Sequence, residues 1–275
     1  MRYNLADLHV HSYCSDGLRT PTQAAEEAFA AGLVAVSLTD HDTVAGVDEA
    51  MAAGQRLGVR VVPGAEFSAH LDDREVHLLA YFFDRRDARL LQHLERLRDN
   101  RRDRGTAIVE RLNALGVEVT IEDVLHRANG GMLGRPHIAA AMVDRGAVPT
   151  KELAFDLYIG DRKPADVPKP RIPYAELIAL VHQLGGVTVL AHPGNSVSEA
   201  TVARLAEAGM DGIEVYHPAH QPPQIEHYTE MAERYHLLPA GGSDSHGEPE
   251  GTRIGDYGIG CEAVEALSAR AATYA

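Results

Sequence analysis

The chain has 275 residues, of which 45% are hydrophobic and none is tryptophan. This length and composition favour one large domain that can bury a full core and carry an insertion. Asp and Glu total 40 against 26 Lys and Arg, and the resulting formal charge of -14 excludes general affinity for long duplex nucleic acid, because the overall field repels phosphate.

Cysteine spacing and hydropathy indicate a cytoplasmic protein. Cys14 and Cys261 lie in unrelated segments without a CxxC spacing, which argues against a disulfide framework and a structural zinc site. The stretch MRYNLADLHV lacks an apolar signal core, and no run approaches the roughly 20 apolar residues of a membrane span. We therefore expect cytoplasmic localisation and no membrane partner, while the oligomeric state stays open.

The first third of the chain alternates apolar strands with amphipathic helices. The periodicity predicts strands over 5–9, 34–38, 59–62 and 76–83, and helices over 22–31 and 44–57. A turn containing Asp72 and Asp73 precedes the fourth strand. This alternation is typical of an α/β fold.

The long segment that follows, 86–172, has a mainly helical pattern. Its first part carries leucines at helical spacing and a dense arginine run, and it ends in the proline-rich stretch KPADVPKPRIP. We interpret 86–172 as a helical insertion that caps one fold built from 1–85 and 173–275.

The strand and helix alternation resumes in the last third of the chain. The pattern predicts strands over 187–191, 212–216 and 237–241, and helices over 198–208, over 223–236 and from Glu262 onward. Seven strands in total predict a distorted seven-stranded (β/α)7 TIM-like barrel with the helical insertion between strands four and five.

Imidazole and carboxylate side chains recur where the predicted strands end. The candidates are His9, His11 and Asp16 after the first strand, Asp40, His41 and Asp42 after the second, Glu66 after the third, His77 in the fourth, His192 after the fifth, and Asp244 and His246 after the seventh. In a β/α barrel these strand ends meet at one face, so the side chains would form one cluster. A single histidine there is usually satisfied by a loop carbonyl, but repetition at six strands favours a shared site.

This set of side chains is typical of a site for several divalent metal ions. His9 and His11 lie two residues apart in a strand and therefore point the same way. Imidazoles and carboxylates without a thiolate suit Zn²⁺, Mn²⁺ or Fe²⁺, and the candidates exceed what one ion can bind. We expect two or three ions, with Glu66 as a natural bridge.

Other residues of the same types are assigned supporting or structural roles. We interpret Asp7 and Asp42 as groups that support ligands or cap loops, and Cys14 as a packing residue. Six histidines in predicted turns or helices are interpreted as surface or structural residues: His70, His93, His126, His182, His227 and His236.

The order and spacing of these motifs closely resemble the PHP (polymerase and histidinol phosphatase) family of metal-dependent phosphoesterases. The motifs are DLHVHSYCSDG, TDHD, PGAE, HLLAY, AHP and GSDSHG. The resemblance covers nearly the whole chain and implies a distorted seven-stranded barrel with a trinuclear metal site. Three further segments, RDNRRDRG at 98–105, GRPHIA at 134–139 and GIEVYHP at 212–218, resemble the branch that hydrolyses nucleoside 3',5'-bisphosphates and trims short RNA from the 5' end.

The resemblance also implies ligands for three ions, with Mn²⁺ as the expected metal and Zn²⁺ or Fe²⁺ as alternatives. One ion would bind His9, His11, Glu66 and Asp244, a second Asp16, His41 and His246, and a third Glu66, His77 and His192. The candidate catalytic residues are Asp16, His41, His192 and His246. Of these, His192 and His246 are candidate proton donors to the leaving sugar oxygen, with a metal-bound water as the alternative.

The arginine-rich segment supplies most of the candidate substrate residues. They are Asn100, Arg101, Arg104 and Arg135, joined by His217, for which a structural role is an equal alternative. Arginines facing the cavity would bind a 5'-phosphate while the metals act on the other phosphate. The alternative for the arginine run is a solvated helix face paired with Glu95, Asp99 and Asp103.

These expectations combine into a metal-dependent phosphoesterase that converts nucleoside 3',5'-bisphosphates such as pAp to 5'-monophosphates, with 5'-to-3' exoribonuclease action on short RNA as a further activity. The expected partner is a small phosphorylated nucleotide or short RNA. Two alternatives stay open, namely a phosphomonoesterase for a metabolite such as histidinol phosphate and a non-catalytic PHP module of a polymerase-type assembly.

Overall fold

A computed structural model describes residues 4–169, 171–195 and 197–275. Within these residues, eight strands form one sheet in the order β7-β6-β5-β4-β3-β2-β1-β8. The strands are β1 (Leu5–Val10), β2 (Ala35–Leu38), β3 (Arg60–Leu71), β4 (Arg74–Tyr81), β5 (Val187–Leu190), β6 (Gly212–Tyr216), β7 (Leu238–Gly241) and β8 (Ile259–Gly260).

Helices connect these strands and fill the long segment between β4 and β5. They are α1 (Pro21–Ala30), α2 (Val47–Leu57), α3 (Ala88–Ala114), α4 (Ile121–Ala128), α5 (Arg135–Asp144), α6 (Lys151–Ala154), α7 (Tyr174–Gln183), α8 (Glu199–Glu207), α9 (Pro222–Arg234) and α10 (Cys261–Ala271), with a π-helical turn at Phe155–Ile159. None of the helices in the described ranges is long and apolar enough to cross a membrane.

Local sequence explains where α1 begins. The Thr20 hydroxyl accepts a hydrogen bond from the backbone N–H of Gln23 at 3.1 Å, and the Gln23 side chain accepts one from the Thr20 N–H at 2.8 Å. This reciprocal capping satisfies two otherwise free donors, and Pro21 has the fixed φ that the first turn requires. Helix α1 therefore begins directly after the loop that carries His11 and Asp16.

The sheet curls into a nearly closed barrel. Beyond β7, Ser245 pairs in parallel with Val10, and the Ser245 carbonyl accepts a hydrogen bond from the N–H of His11 at 3.0 Å. The N–H of Asp244 also donates to the His9 carbonyl at 2.8 Å. These bonds bring the end of β7 against the end of β1, so the fold is α/β with a barrel-like sheet.

Two details differ from the seven parallel strands that the sequence predicts. The short strand β8 pairs antiparallel with the start of β1, through Leu5 with Gly260 and Ala6 with Ile259. Two residues are too few for a periodic signal, so the sequence does not reveal this strand. Strand β4 is antiparallel to both β3 and β5 rather than parallel.

Strand β3 is much longer than predicted. It extends to Leu71 because its second half pairs with β4 in a hairpin, from Gly64 with Tyr81 to Leu71 with Arg74. The turn falls at the predicted aspartates, with Asp72 in the left-handed region at φ 57. His70 consequently lies in a strand and bridges to Pro173, not in a turn or helix as predicted.

Helix α7 was not among the predicted elements. It begins directly after the proline-rich stretch and buries Leu177, Ile178 and Val181 against the core beside β3 to β6. From the second half of α3 to the π-helical turn, the chain has a separate apolar cluster that includes Ile108, Leu112, Ile138, Met142 and Ile159. That segment therefore has packing of its own beside the barrel core.

Candidate metal centre and substrate cavity

The nine predicted metal-binding residues converge on one cavity at the strand ends. They are His9, His11, Asp16, His41, Glu66, His77, His192, Asp244 and His246, and each has a ring nitrogen or carboxylate oxygen within 3.8 Å of another member. We call this set the strand-end cluster. His9, His11 and Glu66 are almost completely buried.

Glu66 lies at the centre of the strand-end cluster. Its Oε2 lies 3.3 Å from Nε2 of His9, Nε2 of His11 and Nδ1 of His41. Its Oε1 lies 2.7 Å from Nδ1 of His77 and 2.9 Å from Nε2 of His192. The two oxygens thus face different imidazole groups, which is the arrangement that a bridging carboxylate requires.

Asp244 and Asp16 serve other parts of the cluster. Asp244 Oδ1 lies 3.1 Å from Nε2 of His11 and 3.3 Å from Nε2 of His9. Asp16 Oδ1 lies 3.5 Å from Nε2 of His246, and its Oδ2 lies 3.8 Å from Nε2 of His41. The carboxylates are therefore distributed along the cluster rather than gathered at one point.

Among the residues that the structure describes, five overlapping groups of side chains have ligand atoms close enough to share a metal ion. The groups are His11/Asp16/His41/His246, His9/His11/Asp244, His9/Glu66/His192, His41/Glu66/His77 and His9/Glu214/His217. Four of them contain only residues that the sequence predicts as ligands. The fifth contains Glu214, which the sequence analysis missed.

The backbone around the cluster is unusually close and strained. A Cβ on Gly242 would overlap the His9 side chain and backbone, so only glycine lets the end of β7 approach β1 this closely. His192 and Asp244 have φ values of 28 and 50. Non-glycine residues rarely adopt such values, and strain of this kind concentrates at functional sites.

The hydrogen bonding of the buried imidazoles fits a metal site. Neither ring nitrogen of His11, nor Nδ1 of His41, makes a well-oriented hydrogen bond, although these atoms are buried and carboxylate oxygens lie nearby. Buried polar atoms are normally paired, because leaving one unpaired costs about 1–3 kcal/mol. Metal coordination would satisfy these nitrogens, so the residues present fit divalent ions.

Electrostatics also indicate that the cluster needs cations. Burial alone would raise the pKa of Glu66, but His41 and His77 hold it well below its usual range. Burial opposes protonation of His11, yet Asp244 and Glu66 raise its pKa to about 10. The carboxylates therefore stay ionised and attract positive charge, which protons or metal ions can supply.

Glu214 and His220 are buried residues beside the cluster that the sequence analysis did not single out. His217, also buried, was a candidate for substrate binding, with a structural role as the equal alternative. Glu214 lies in the middle of β6, with Oε1 3.1 Å from His9 Nδ1. His217 is 5% exposed, and its Nε2 lies 3.4 Å from Asp244 Oδ2. The available signal was an acidic residue in the otherwise apolar stretch GIEVY.

The predicted supporting roles of Asp7 and Asp42 agree with their contacts. Asp7 accepts hydrogen bonds from the backbone N–H groups of Ser243 and Gly255, each at 2.9 Å. Asp42 accepts from the N–H of Ser68 at 3.1 Å and from Arg101. Both carboxylates thus hold the loops and side chains around the cluster.

Two arginines of α3, Arg101 and Arg104, pair with groups outside their own helix. Arg101 Nε donates to Asp42 Oδ2 at 2.9 Å, and Arg104 Nε donates to the Val167 carbonyl at 2.5 Å. The proposed pairing of these two with acids of a solvated helix face is therefore wrong, because both side chains point inward. Arg135 Nη1 donates to Asp161 Oδ1 at 2.7 Å.

Four cations gather beside the cluster, and we call Arg101, Arg104, Arg135 and Lys169 the cation cluster. Burial and the neighbouring Arg135 lower the pKa of Arg104 to about 10. Lys169 Nζ lies 2.5 Å from Glu75 Oε1, which also lies 2.9 Å from Nε2 of His77. Repulsion among these cations would be relieved by an anion bound between them.

Two cavities open beside the strand-end cluster. One, of about 540 Å³, is lined by His77, His192 and Arg135. The other, of about 270 Å³, is lined by Tyr13, Asp16, Leu18, Asn129, Pro136, His137, Val143 and Lys151, and we call it the Tyr13 cleft. The first turn of α5 borders both cavities, with Arg135 at the first and Pro136 at the second. Asn100 lies near Arg101 in a further small depression.

Comparison with known sequences points to one family. The family model for the PHP domain matches residues 7–186. A 3',5'-nucleoside bisphosphate phosphatase of Chromobacterium violaceum is 31% identical, covering 90% of this chain and 89% of the relative. A 5'-3' exoribonuclease of Haemophilus influenzae is 30% identical, covering 87% and 89%. A phosphoribosyl 1,2-cyclic phosphate 1,2-diphosphodiesterase of Eggerthella lenta is 34% identical, covering 89% and 95%.

A solved structure agrees with the sequence comparison. A Bifidobacterium adolescentis protein, provisionally named as a metal-dependent phosphoesterase, superimposes with a TM-score of 0.89. It is 32% identical, and the match covers 96% of each chain. The similarity thus includes the helical segment between β4 and β5 as well as the barrel.

Proposed function

The chain belongs to the PHP domain family of metal-dependent phosphoesterases, and from this premise we propose that it hydrolyses the 3'-phosphate of nucleoside 3',5'-bisphosphates such as pAp, leaving the 5'-monophosphate. The observation that carries this proposal is the cation cluster beside the strand-end cluster. Two adjacent regions that attract phosphate suit a substrate with two phosphates. A metabolite with one phosphate would leave the second region unused.

The nine residues of the strand-end cluster are the proposed ligands of two or three divalent ions, with Mn²⁺ as the expected metal. Bound ions would neutralise the phosphoryl oxygens and lower the pKa of a water to about neutrality. Glu66 is the proposed bridge because its two oxygens face different imidazole groups.

Proton transfer to the leaving ribose oxygen is proposed for whichever of His192 and His246 is not bound to metal, with a metal-bound water as the alternative donor. Each has 29% of its side chain exposed, whereas the side chains of His9 and His11 are fully buried. These two histidines therefore lie at the side of the cluster that a substrate can approach. Asp16 and His41, next to His246, complete the proposed catalytic group.

The cation cluster is the proposed site for the 5'-phosphate. Arg135 borders the same cavity as His77 and His192, so a phosphate held there would lie next to the proposed metals. Arg101, Arg104 and Asn100 extend the positive surface along α3. Segment 86–172 carries Asn100 and all four residues of the cation cluster. We propose that this segment caps the cavity and selects doubly phosphorylated substrates.

The Tyr13 cleft is the proposed location of the nucleoside. It offers the face of an exposed tyrosine, the apolar groups of Leu18 and Pro136, and polar groups such as Asn129. A base combines a flat apolar face with polar edges and stacks well on aromatic rings. The inner end of the cleft reaches Asp16, one of the proposed ligands.

A substrate panel tests the proposal. Purified protein with Mn²⁺ is assayed on pAp, adenosine 3'-monophosphate, histidinol phosphate and a ribose 1,2-cyclic phosphate. We expect kcat/KM for pAp to exceed that for the 3'-monophosphate by roughly 10- to 100-fold, since hydrogen bonds to a charged group contribute about 1.5–3 kcal/mol. Absence of phosphate release from any nucleoside bisphosphate would overturn the proposal.

A second candidate activity is removal of nucleotides from the 5' end of short RNA. It is favoured by the relative named as a 5'-3' exoribonuclease and by the same pairing of a 5'-phosphate site with a hydrolytic site. Assays on a 5'-phosphorylated and an unphosphorylated trinucleotide discriminate it, because only the first can occupy the cation cluster. The complete ligand set speaks against a non-catalytic module.

A further inference from the structure

Strand β6 and the residue that follows it contact the strand-end cluster through Glu214 and His217, although the predicted ligands come from other strands. This inference rests on the metal site proposed above: we propose that Glu214 is a positioning residue. It holds the His9 ring and the His192 backbone so that Nε2 of each histidine faces Glu66. His217 gives the same kind of support to Asp244. The chain thus orients ligands of three strands from a fourth strand.

The contact between Glu214 and His9 fixes the protonation of that imidazole. Glu214 is fully buried, and its Oε1 lies 3.1 Å from His9 Nδ1. A carboxylate only accepts hydrogen bonds, so Nδ1 carries a proton, and Nε2 is the nitrogen whose lone pair a metal ion would use once it displaces the proton there. That Nε2 is the nitrogen that lies 3.3 Å from Glu66 Oε2, so the ring presents a ligand atom to the cluster.

The second oxygen of Glu214 holds His192. Its Oε2 accepts a hydrogen bond from the His192 backbone N–H at 2.6 Å. His192 has φ 28, a conformation that needs external support in a residue with a side chain. The supported residue places its Nε2 2.9 Å from Glu66 Oε1. One carboxylate therefore sets the direction of two proposed ligands from different strands.

His217 orients Asp244 in a comparable way. Its Nδ1 accepts a hydrogen bond from the Ala219 N–H at 3.1 Å, so the ring proton lies on Nε2. This proton faces Asp244 Oδ2 at 3.4 Å. The other oxygen of Asp244 stays directed at His9 and His11. The residue thus supports a ligand and has no free lone pair for a metal.

A fourth metal ion between His9, Glu214 and His217 is the competing explanation, because their ligand atoms are close together. The hydrogen bonds argue against it. Both oxygens of Glu214 and both ring nitrogens of His217 already have protein partners. By contrast, neither ring nitrogen of the proposed ligand His11 makes a well-oriented hydrogen bond. Glu214 and His217 would therefore have to give up protein partners in order to bind an ion.

The test compares Glu214→Gln with Asp211→Asn. Asp211 is also fully buried and precedes β6, but its partners are His182 and Tyr274, which are not candidate ligands. The glutamine amide can accept only one of the two hydrogen bonds that Glu214 accepts. Mn²⁺ titrations of metal-free protein should show affinity weakened by roughly 10- to 100-fold in Glu214→Gln and unchanged in Asp211→Asn.

Three outcomes would overturn the proposal. Unchanged Mn²⁺ affinity in Glu214→Gln is the first. Permanent loss of one bound ion even at saturating Mn²⁺ is the second, because it would make Glu214 a ligand. The third applies if Glu214→Gln does not fold. His217→Leu then replaces it, and Mn²⁺ affinity equal to that of wild type in His217→Leu would overturn the proposal.

The experiment separates this proposal from the proposed function. Metal affinity is measured without substrate, so wild-type protein that binds Mn²⁺ but leaves bisphosphates intact would refute the function and leave the role of Glu214 standing. Thermal unfolding of the metal-free variants provides a second readout. We expect Glu214→Gln to weaken metal affinity more than Asp211→Asn does. We expect Asp211→Asn to lower the unfolding temperature more than Glu214→Gln does.

Discussion

Carboxylates and imidazoles pack together at both ends of the barrel strands, and their hydrogen bonding differs between the two ends. At the strand starts, Asp211 accepts from the Thr188 N–H and His182 Nε2, both at 2.9 Å, and from the Tyr274 hydroxyl at 2.8 Å. At the strand ends, the buried ring nitrogens of His11 lie near carboxylates but make no well-oriented hydrogen bond. The group around Asp211 is complete within the protein, whereas the strand-end cluster is complete only with a further ligand.

This contrast separates a structural role from a functional one for the same residue types. Asp211 connects α7, β5 and the segment after α10, so its hydrogen bonds stabilise the packing of elements remote in sequence. Barrel enzymes place chemistry at the carboxyl ends of strands and stability at the opposite ends. Hydrogen-bond completeness therefore predicts the role of each cluster, and substitutions can test it.

Glu66→Gln is the change with the largest expected effect on activity. The amide removes the negative charge and one of two acceptors that face the imidazoles, so the proposed bridge is lost. Metal ions contribute several kcal/mol to such reactions, and kcat/KM for pAp should fall by roughly 1,000-fold or more. Steady-state kinetics with circular dichroism as a folding control measures this. A variant that kept a tenth of the activity would show that Glu66 is not the bridge.

Asp211→Asn should lower stability and leave activity unchanged. An amide cannot accept all the hydrogen bonds that Asp211 accepts, so a buried donor loses its partner and the free energy of unfolding should fall by about 1–3 kcal/mol. The kcat/KM of the folded enzyme should equal that of wild type. Urea unfolding monitored by circular dichroism measures the first quantity. Loss of activity with unchanged stability would contradict the distinction between the two ends.

The sequence predicts the strand-end cluster well because its signal is local. His9 and His11 are two residues apart, and Glu66 and His192 follow recognisable strands, so pattern and strand period together suffice. The supporting residue Glu214 is harder to find, since one acidic residue in a short strand looks like ordinary alternation. The partner of Arg101 is Asp42, 59 positions away, and only the folded chain brings them together.

Two arginines of the cation cluster, Arg101 and Arg135, differ in how exposed their carboxylate partners are. The Asp42 side chain, which pairs with Arg101, is 3% exposed, whereas Asp161, which pairs with Arg135, is 86% exposed. An exposed carboxylate can turn to solvent when phosphate arrives, and a buried one cannot. Arg135 is therefore the arginine that can exchange partners with substrate.

Arg135→Ala should mainly affect substrate binding, whereas Arg101→Ala should mainly affect stability. We expect Arg135→Ala to raise KM for pAp by roughly 10-fold, the loss of a charged hydrogen bond, with little change in unfolding temperature. Arg101→Ala leaves the buried Asp42 unpaired and should lower the unfolding temperature. Adenosine 3'-monophosphate serves as the control substrate, because it lacks the 5'-phosphate. Equal KM changes on both substrates would place the 5'-phosphate elsewhere.

Tyr13→Ala is the smallest expected change. Loss of stacking on a base costs about 1 kcal/mol at the lower end of its range, so KM for pAp should rise about fivefold while kcat stays constant. Tyr13→Phe keeps the ring and should behave like wild type. The same panel on ribose 3,5-bisphosphate, which has no base, provides the control. A KM increase for both substrates would exclude the Tyr13 cleft as the nucleoside site.

Metal content tests the central claim most directly. Crystals of the protein grown with Mn²⁺, measured on either side of the Mn absorption edge, locate each bound ion by anomalous scattering. We expect two or three ions per chain within the strand-end cluster, with Glu66 oxygens on two of them and the group around Asp211 free of metal. A single ion, or ions that do not contact Glu66, would contradict the account.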